Sequence, residues 1–139
     1  MALTQQQLEK LRQVRMFVLD MDGTIYLGES LFPFTKEFLR RVEETGRDFC
    51  FFTNNSSKNR EAYLEKLARM GISLPPEKML ISNGVILQWL GQHHPGARCY
   101  VVGTPALRED FRKAGFAPDA EDGDVVILGF DTTLTYEKL

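Results

Sequence analysis

Short apolar runs alternate along this chain with stretches of helical period. Met16-Phe17-Val18-Leu19 is continuously apolar and stops at Asp20, the form of a parallel strand buried on both faces. Asp48-Phe49-Cys50-Phe51-Phe52 is a second such run, closed by the polar cluster Thr53-Asn54-Asn55-Ser56-Ser57. Around them, Thr4 caps a polar helix carrying Leu8, Leu11 and Val14. Thr35 caps a helix with Phe38, Leu39 and Val42 that ends at Gly46, and Ser57 caps one with Ala62, Leu64, Leu67 and Ala68 that ends at Gly71. The segment between Asp20 and Phe34 reads as a loop, with Gly23, Gly28 and Pro33. Pro75-Pro76 is the clearest break. Beyond it the pattern predicts a short run at Met79-Leu80-Ile81, a helix from Asn83 to Leu90 and a loop from Gly91 to Gly96. A second strand–helix–strand unit follows: a strand at Arg98 to Val102, a helix from Pro105 to Ala114, and Val125-Val126-Ile127-Leu128. Thr135 then caps a single turn reaching Leu139. This rhythm is that of an α/β fold with right-handed parallel crossovers, divided at the proline pair into residues 1–76 and 77–139.

Composition narrows the class. With 139 residues, 43% hydrophobic and 26% charged, the chain has the make-up of an ordinary globular protein. A net charge of -2 argues against nucleic acid as a partner. No apolar run approaches the roughly 20 residues of a membrane span. Cys50 and Cys99 each sit inside a strand-like run, which argues against a disulfide framework, and the first fifteen residues lack a signal-peptide pattern. A cytoplasmic protein is expected.

The polar residues that matter fall at strand ends, where the crevice of an open α/β sheet lies. Asp20-Met21-Asp22-Gly23-Thr24 follows the first strand, and Thr53-Asn54-Asn55 follows the second. If these strands are neighbours, both tips share one pocket. Two carboxylates two residues apart repel unless a cation lies between them, and Mg²⁺ takes such oxygen ligands while leaving room for a substrate phosphate. One carboxylate can then attack phosphorus, and the other can serve as general acid and base. Gly23 permits the sharp turn, while Thr53 and the N–H groups near Asn54 can hold phosphate oxygens. An EF-hand loop needs Gly at its sixth position and Glu at its twelfth, which here are Ile25 and Leu31. A plain acidic turn is the simpler alternative for the first cluster alone.

Asp20-Met21-Asp22-Gly23-Thr24 resembles motif I of the haloacid dehalogenase (HAD) superfamily, and Phe52-Thr53-Asn54-Asn55 resembles its motif II. The longer strings D-M-D-G-T-I-Y-L-G and T-N-N-S-S-K are similar to the NagD-like, p-nitrophenylphosphatase branch. Tyr100-Val101-Val102-Gly103 and Gly129-Phe130-Asp131 also match that branch, in the first part of a C2-type cap. The resemblance implies a HAD-like Rossmannoid parallel sheet, here a partial core, followed by the start of an α/β cap. It implies a Mg²⁺-dependent phosphatase acting on a small-molecule phosphate ester through an aspartyl phosphate on Asp20. Asp20 is then nucleophile and metal ligand, and Asp22 is acid/base with its backbone carbonyl on the metal. Thr53 binds the phosphoryl group, Asn54 and Asn55 line the substrate side, and Gly23 and Thr24 only shape the turn.

The branch also implies a motif III lysine and motif IV acids after the cap. No Lys here lies in a Gly-Lys-Pro context, and Gly123-Asp124 runs into the strand at Val125. The expectation is therefore the first half of such a phosphatase, with the cap cut in mid-domain. Two rival readings stand: an inactive fragment or homologue lacking those groups, and an anion-binding α/β module. Half a fold would expose apolar strand edges, so a dimer or larger assembly is expected.

The remaining signals are weaker. His93-His94 reads as solvated loop, Cys50 as a core thiol, and Trp89 with Val85, Ile86 and Leu90 as helix packing. Asp131 is either a turn residue or a group near the active-site entrance. The two Asn-X-Ser sequons at Asn54 and Asn55 are accidental without a secretory signal.

Overall fold

The computed structural model describes residues 3–138. Three parallel strands form the first sheet in the order β1 (Met16–Leu19), β4 (Asp48–Thr53) and β5 (Met79–Ile81). Helices α2 (Thr35–Glu44) and α3 (Arg60–Arg69) are the crossovers. They bury Leu39, Val42, Tyr63 and Leu67 with Phe49, Phe51, Met79 and Ile81 on one face of the sheet. Phe17 joins this core edge-on to Phe38, with ring centroids 5.9 Å apart.

The other face departs from expectation. Met16 is 50% exposed and Val18 is 63% exposed, and Phe52 and Leu80 beside them are exposed too. β1 is thus covered on one face only, where Phe17 and Leu19 are half-buried. Alternate side chains of a strand point to opposite faces, and both crossover helices pack on the Phe17/Phe49/Met79 side. Helix α1 (Gln5–Arg12) does not cover the open face, since none of its residues is buried. Its start is as read: Thr4 forms a capping box with Gln7.

The second sheet pairs β6 (Cys99–Val102) with β7 (Val125–Leu128), again parallel. Helices α4 (Ser82–His93) and α5 (Pro105–Lys113) pack on it, burying Leu90, Cys99, Val101, Leu107, Phe111 and Phe116. β5 belongs to the first sheet, so that sheet runs past the proline pair and does not end at residue 76.

Several local readings are corrected. Thr35 does not cap α2; its hydroxyl donates to the Ile25 carbonyl at 2.6 Å and ties the preceding loop to the helix. Asn59, not Ser57, caps α3 by accepting from the Ala62 amide. The buried side of α3 is Tyr63, Lys66 and Leu67. The loop after Asp20 contains a small hairpin, β2 (Tyr26–Leu27) with β3 (Ser30–Leu31). α4 extends to His93, whose Nδ1 lies 2.9 Å from the Trp89 carbonyl. Trp89 stacks on His93 at 4.7 Å and is exposed, so it packs outside the core. Tyr136–Lys138 form a single 3-10 turn, and Leu139 lies outside the described residues.

Candidate active site

Leu19 of β1 is in register with Phe51 of β4, which brings the two strand tips side by side. Asp20, Asp22, Thr53, Asn54 and Asn55 line one cavity of about 410 Å³, together with Phe130 from the end of β7. All five residues singled out in the sequence therefore meet in one place.

Local structure explains how. After Asp20 the chain turns at Gly23, in the left-handed region at φ 78°, where a side chain would be strained. The Gly23 amide donates to the Tyr26 carbonyl at 2.8 Å, which closes the turn and starts the hairpin. Buried Met21 and Ile25 anchor this segment in the core, while Asp20 and Asp22 remain open to the cavity. Thr24 does more than shape the turn, because its hydroxyl reaches Asp20 Oδ2 at 3.3 Å.

Asp22 is held from behind. The Tyr26 hydroxyl donates to its Oδ2 at 3.2 Å, and Lys66 Nζ lies 4.0 Å from its Oδ1. Lys66 is only 6% exposed; its ammonium sits 3.9 Å over the Tyr26 ring and 3.8 Å from Glu29. Burial, reinforced by the Asp22 charge, pushes the Tyr26 phenol well above its ordinary range, so it stays a donor. Burial raises the Tyr63 phenol as well, and its hydroxyl donates to the Asn55 carbonyl at 3.1 Å.

The second tip is equally organised. Thr53 is 2% exposed, and its Oγ1 accepts from the Asn55 amide at 3.1 Å. Asn55 Oδ1 in turn accepts from the Ser57 amide and hydroxyl at 3.0 and 2.6 Å. The next three residues tie this loop to the elements around the second sheet. Ser56 Oγ accepts from the Phe130 amide at 2.7 Å, the Ser57 carbonyl from Thr104 Oγ1 at 2.9 Å, and the Lys58 carbonyl from Asn83 Nδ2 at 3.3 Å.

Tyr26, Lys66, Ser56 and Phe130 were not singled out in the sequence. Lys66 carried a visible signal, a charged residue within the helical face that includes Tyr63 and Leu67. Asp131 is a turn residue: its carboxylate accepts from Thr133 and pairs with Lys138 at 2.9 Å, and although burial would raise it, these partners together outweigh burial and keep it below the usual carboxylate range. Among the described residues, no group of three or more His, Cys, Asp or Glu is placed to hold a metal.

A parallel α/β sheet with paired aspartates at one strand tip and a threonine at the next defines a class. A model of the haloacid dehalogenase-like hydrolases matches residues 17–117, and the chain belongs to that family. It is 32% identical over 130 residues to the acid sugar phosphatase of Staphylococcus aureus strain USA300, covering 93% of this chain and 50% of that protein. In structure it is similar to the 4-nitrophenylphosphatase of Thermotoga maritima, with a TM-score of 0.86 and 41% identity over 92% of this chain and 49% of that one. NagD from E. coli K-12 superposes with a TM-score of 0.77 at 25% identity, over 90% of this chain and 50% of that one. The chain thus spans about half the length of the relatives it matches, and the resemblance to the NagD-like and p-nitrophenylphosphatase branch holds. No helix among the described residues is long and apolar enough to cross a membrane.

Proposed function

We propose that this chain carries the nucleophilic half of a Mg²⁺-dependent phosphatase of the cytoplasm that hydrolyses small phosphomonoesters. The observation that carries the reading is the convergence of Asp20, Asp22 and Thr53 on one open cavity. The relatives named as an acid sugar phosphatase and a 4-nitrophenylphosphatase support the reaction type.

The donor set suits a hard cation. Every candidate ligand is an oxygen: the Asp20 carboxylate, the Asp22 carbonyl, and the substrate phosphate and waters that an open cavity admits. Asp20 and the Asp22 backbone would hold Mg²⁺, which when bound offsets the negative charge between the carboxylates and the phosphoryl oxygens.

The residues then divide the work. An Asp20 carboxylate oxygen forms a bond to phosphorus as the ester P–O bond breaks, leaving an aspartyl phosphate. Asp22, protonated, gives its proton to the departing alkoxide oxygen. In the second step Asp22 takes a proton from water, whose oxygen bonds to phosphorus as the Asp20–phosphorus bond breaks. Thr53 and the N–H groups around Asn54 hold the non-bridging oxygens, where charge concentrates. Tyr26 and Lys66 keep the Asp22 carboxylate oriented.

A second reading is favoured by the donor set itself. With two aspartates and no third acid, His or Cys joining them among the described residues, the charge stabilisation is partial. On that reading, turnover requires further charged groups from the part of the fold that the relatives carry and this chain does not match. Turnover of 4-nitrophenyl phosphate with and without Mg²⁺, with Asp20→Asn as control, decides. Mg²⁺-dependent turnover by the chain, lost in Asp20→Asn, supports the first reading; turnover gained only in a longer chain supports the second. Unchanged turnover in Asp20→Asn removes the nucleophile assignment.

A further inference from the structure

A cavity of about 290 Å³ opens between three helices and shares no lining residue with the acidic one. Arg60 and Glu61 enter it from α3, Asn83 and Leu87 from α4, and Asp110 and Lys113 from α5. Its charges balance, two cations against two carboxylates. Among the described residues, three buried side-chain polar atoms have no hydrogen-bond partner. Two of them, Arg60 Nε and Asn83 Oδ1, belong to residues of this one cavity. Folded chains leave few such atoms, so a pair of opposite kind in one place points to a ligand that answers both.

Asn83 shows what one end of that ligand must be. It is 2% exposed, and its Nδ2 donates to the Lys58 carbonyl at 3.3 Å and to Asp110 Oδ2 at 3.0 Å. Both neighbours are acceptors, so turning the amide over would not pair Oδ1. Oδ1 needs a donor, and the Asp110 carboxylate close by favours a cationic one. Arg60 has the opposite need. Its Nε is an unpaired donor on a cation, and its guanidinium lies against the start of α4, where a Cβ on Gly84 would be 3.6 Å from Nη2. Lys113 brings a second positive charge to the same cavity.

We infer that this cavity binds a free α-amino acid with an aliphatic side chain. The ammonium donates to Asn83 Oδ1 and Asp110, the carboxylate accepts from Arg60, and the side chain lies against Leu87. A simple cation would leave Arg60 Nε unpaired, and a simple anion would leave Asn83 Oδ1 unpaired. An ammonium also offsets the burial that raises the Asp110 carboxyl. Since α3, α4 and α5 all contribute, a bound ligand braces the crossover helix of the first sheet against the helices of the second and stabilises the fold by mass action. The site does not depend on the phosphatase reading.

Amide NMR titration of the unmodified chain compares L-valine with two analogues that each lack one charge, isobutylamine and isovalerate. Valine should shift the Asn83, Gly84 and Lys113 amides and raise the unfolding midpoint. Each analogue should bind at least about tenfold more weakly. In Arg60→Met, valine should bind within about twofold of isobutylamine. Equal binding of valine and isovalerate, or of valine and isobutylamine, overturns the zwitterion site, and so does valine binding that a folded Arg60→Met leaves unchanged. The analogue comparison decides even where that variant does not fold. No shift at about 50 mM valine overturns the site and leaves the phosphate cavity untouched.

Discussion

The buried Ser56 hydroxyl accepts the Phe130 amide at 2.7 Å, joining the loop after β4 to the end of β7 across 74 residues of chain. The Ser57–Thr104 and Lys58–Asn83 bonds add ties from the same loop to the start of α5 and to α4.

Ser56→Ala removes that acceptor and leaves the Phe130 amide without it. A lost hydrogen bond at a buried site costs about 1–3 kcal/mol, which urea unfolding should register. The same variant should move the Phe130 amide resonance. An unfolding midpoint equal to that of the unmodified chain would show that the tie carries no stability.

Gly129 sits where this tie closes. A Cβ there would press into Leu107 Cδ2 and meet Ser56 Oγ at 3.0 Å and the Val102 carbonyl at 3.4 Å. Gly129→Ala should therefore destabilise by roughly 1–3 kcal/mol through overpacking, measured by thermal or urea unfolding. Gly91, whose Cβ would meet nothing within 4 Å, is the control, and Gly91→Ala in the helix should be neutral or stabilising.

Asp110 supplies a pH signature. Burial raises its carboxyl above the usual carboxylate range, against the hydrogen bond that Asn83 Nδ2 donates at 3.0 Å. The folded chain therefore keeps the Asp110 proton to higher pH than the unfolded chain does. Its stabilising contribution is full below the ordinary carboxylate value and is lost as pH rises through the raised folded value. Asp110→Asn should melt higher than the unmodified chain at neutral pH, with the gap narrowing toward about pH 3. A gap independent of pH would contradict this.

The open face of the first sheet predicts self-association. Met16, Val18, Phe52 and Leu80 form an exposed apolar strip across three strands, and a sheet face of this kind seeks cover. Light scattering should give a mass above the monomer, and Val18→Lys with Leu80→Lys should lower it. A clean monomer for the unmodified chain would count against the prediction.

Much of this was legible in the sequence because it depends on local pattern. The runs Met16–Leu19, Asp48–Phe52 and Val125–Leu128 announce parallel strands, and polar residues at their ends announce the site. Asp20, Asp22, Thr53, Asn54 and Asn55 converge because two neighbouring parallel strands end in register. The hairpin at Tyr26–Leu31 was hidden because two-residue strands are too short to show a period. Lys66 shows in the sequence only as a charge within the apolar face of α3; what it touches, Tyr26 and Glu29 some forty residues earlier, is set by the tertiary fold. The one-sided burial of β1 does not show in its apolar run, because such a run does not reveal whether both faces find a partner. Ser56 and Phe130 lie 74 residues apart, and only the tertiary fold brings them together.

If Asp20 is the nucleophile, a phosphoryl group is trapped on it during turnover, and peptide mass spectrometry after acid quench reads where that group sits. The chain is mixed with 4-nitrophenyl phosphate and Mg²⁺, quenched and digested. One phosphoryl group is expected on the peptide containing Asp20, absent from Asp20→Asn. A phosphoryl group on another residue, or undiminished labelling in Asp20→Asn, would contradict it.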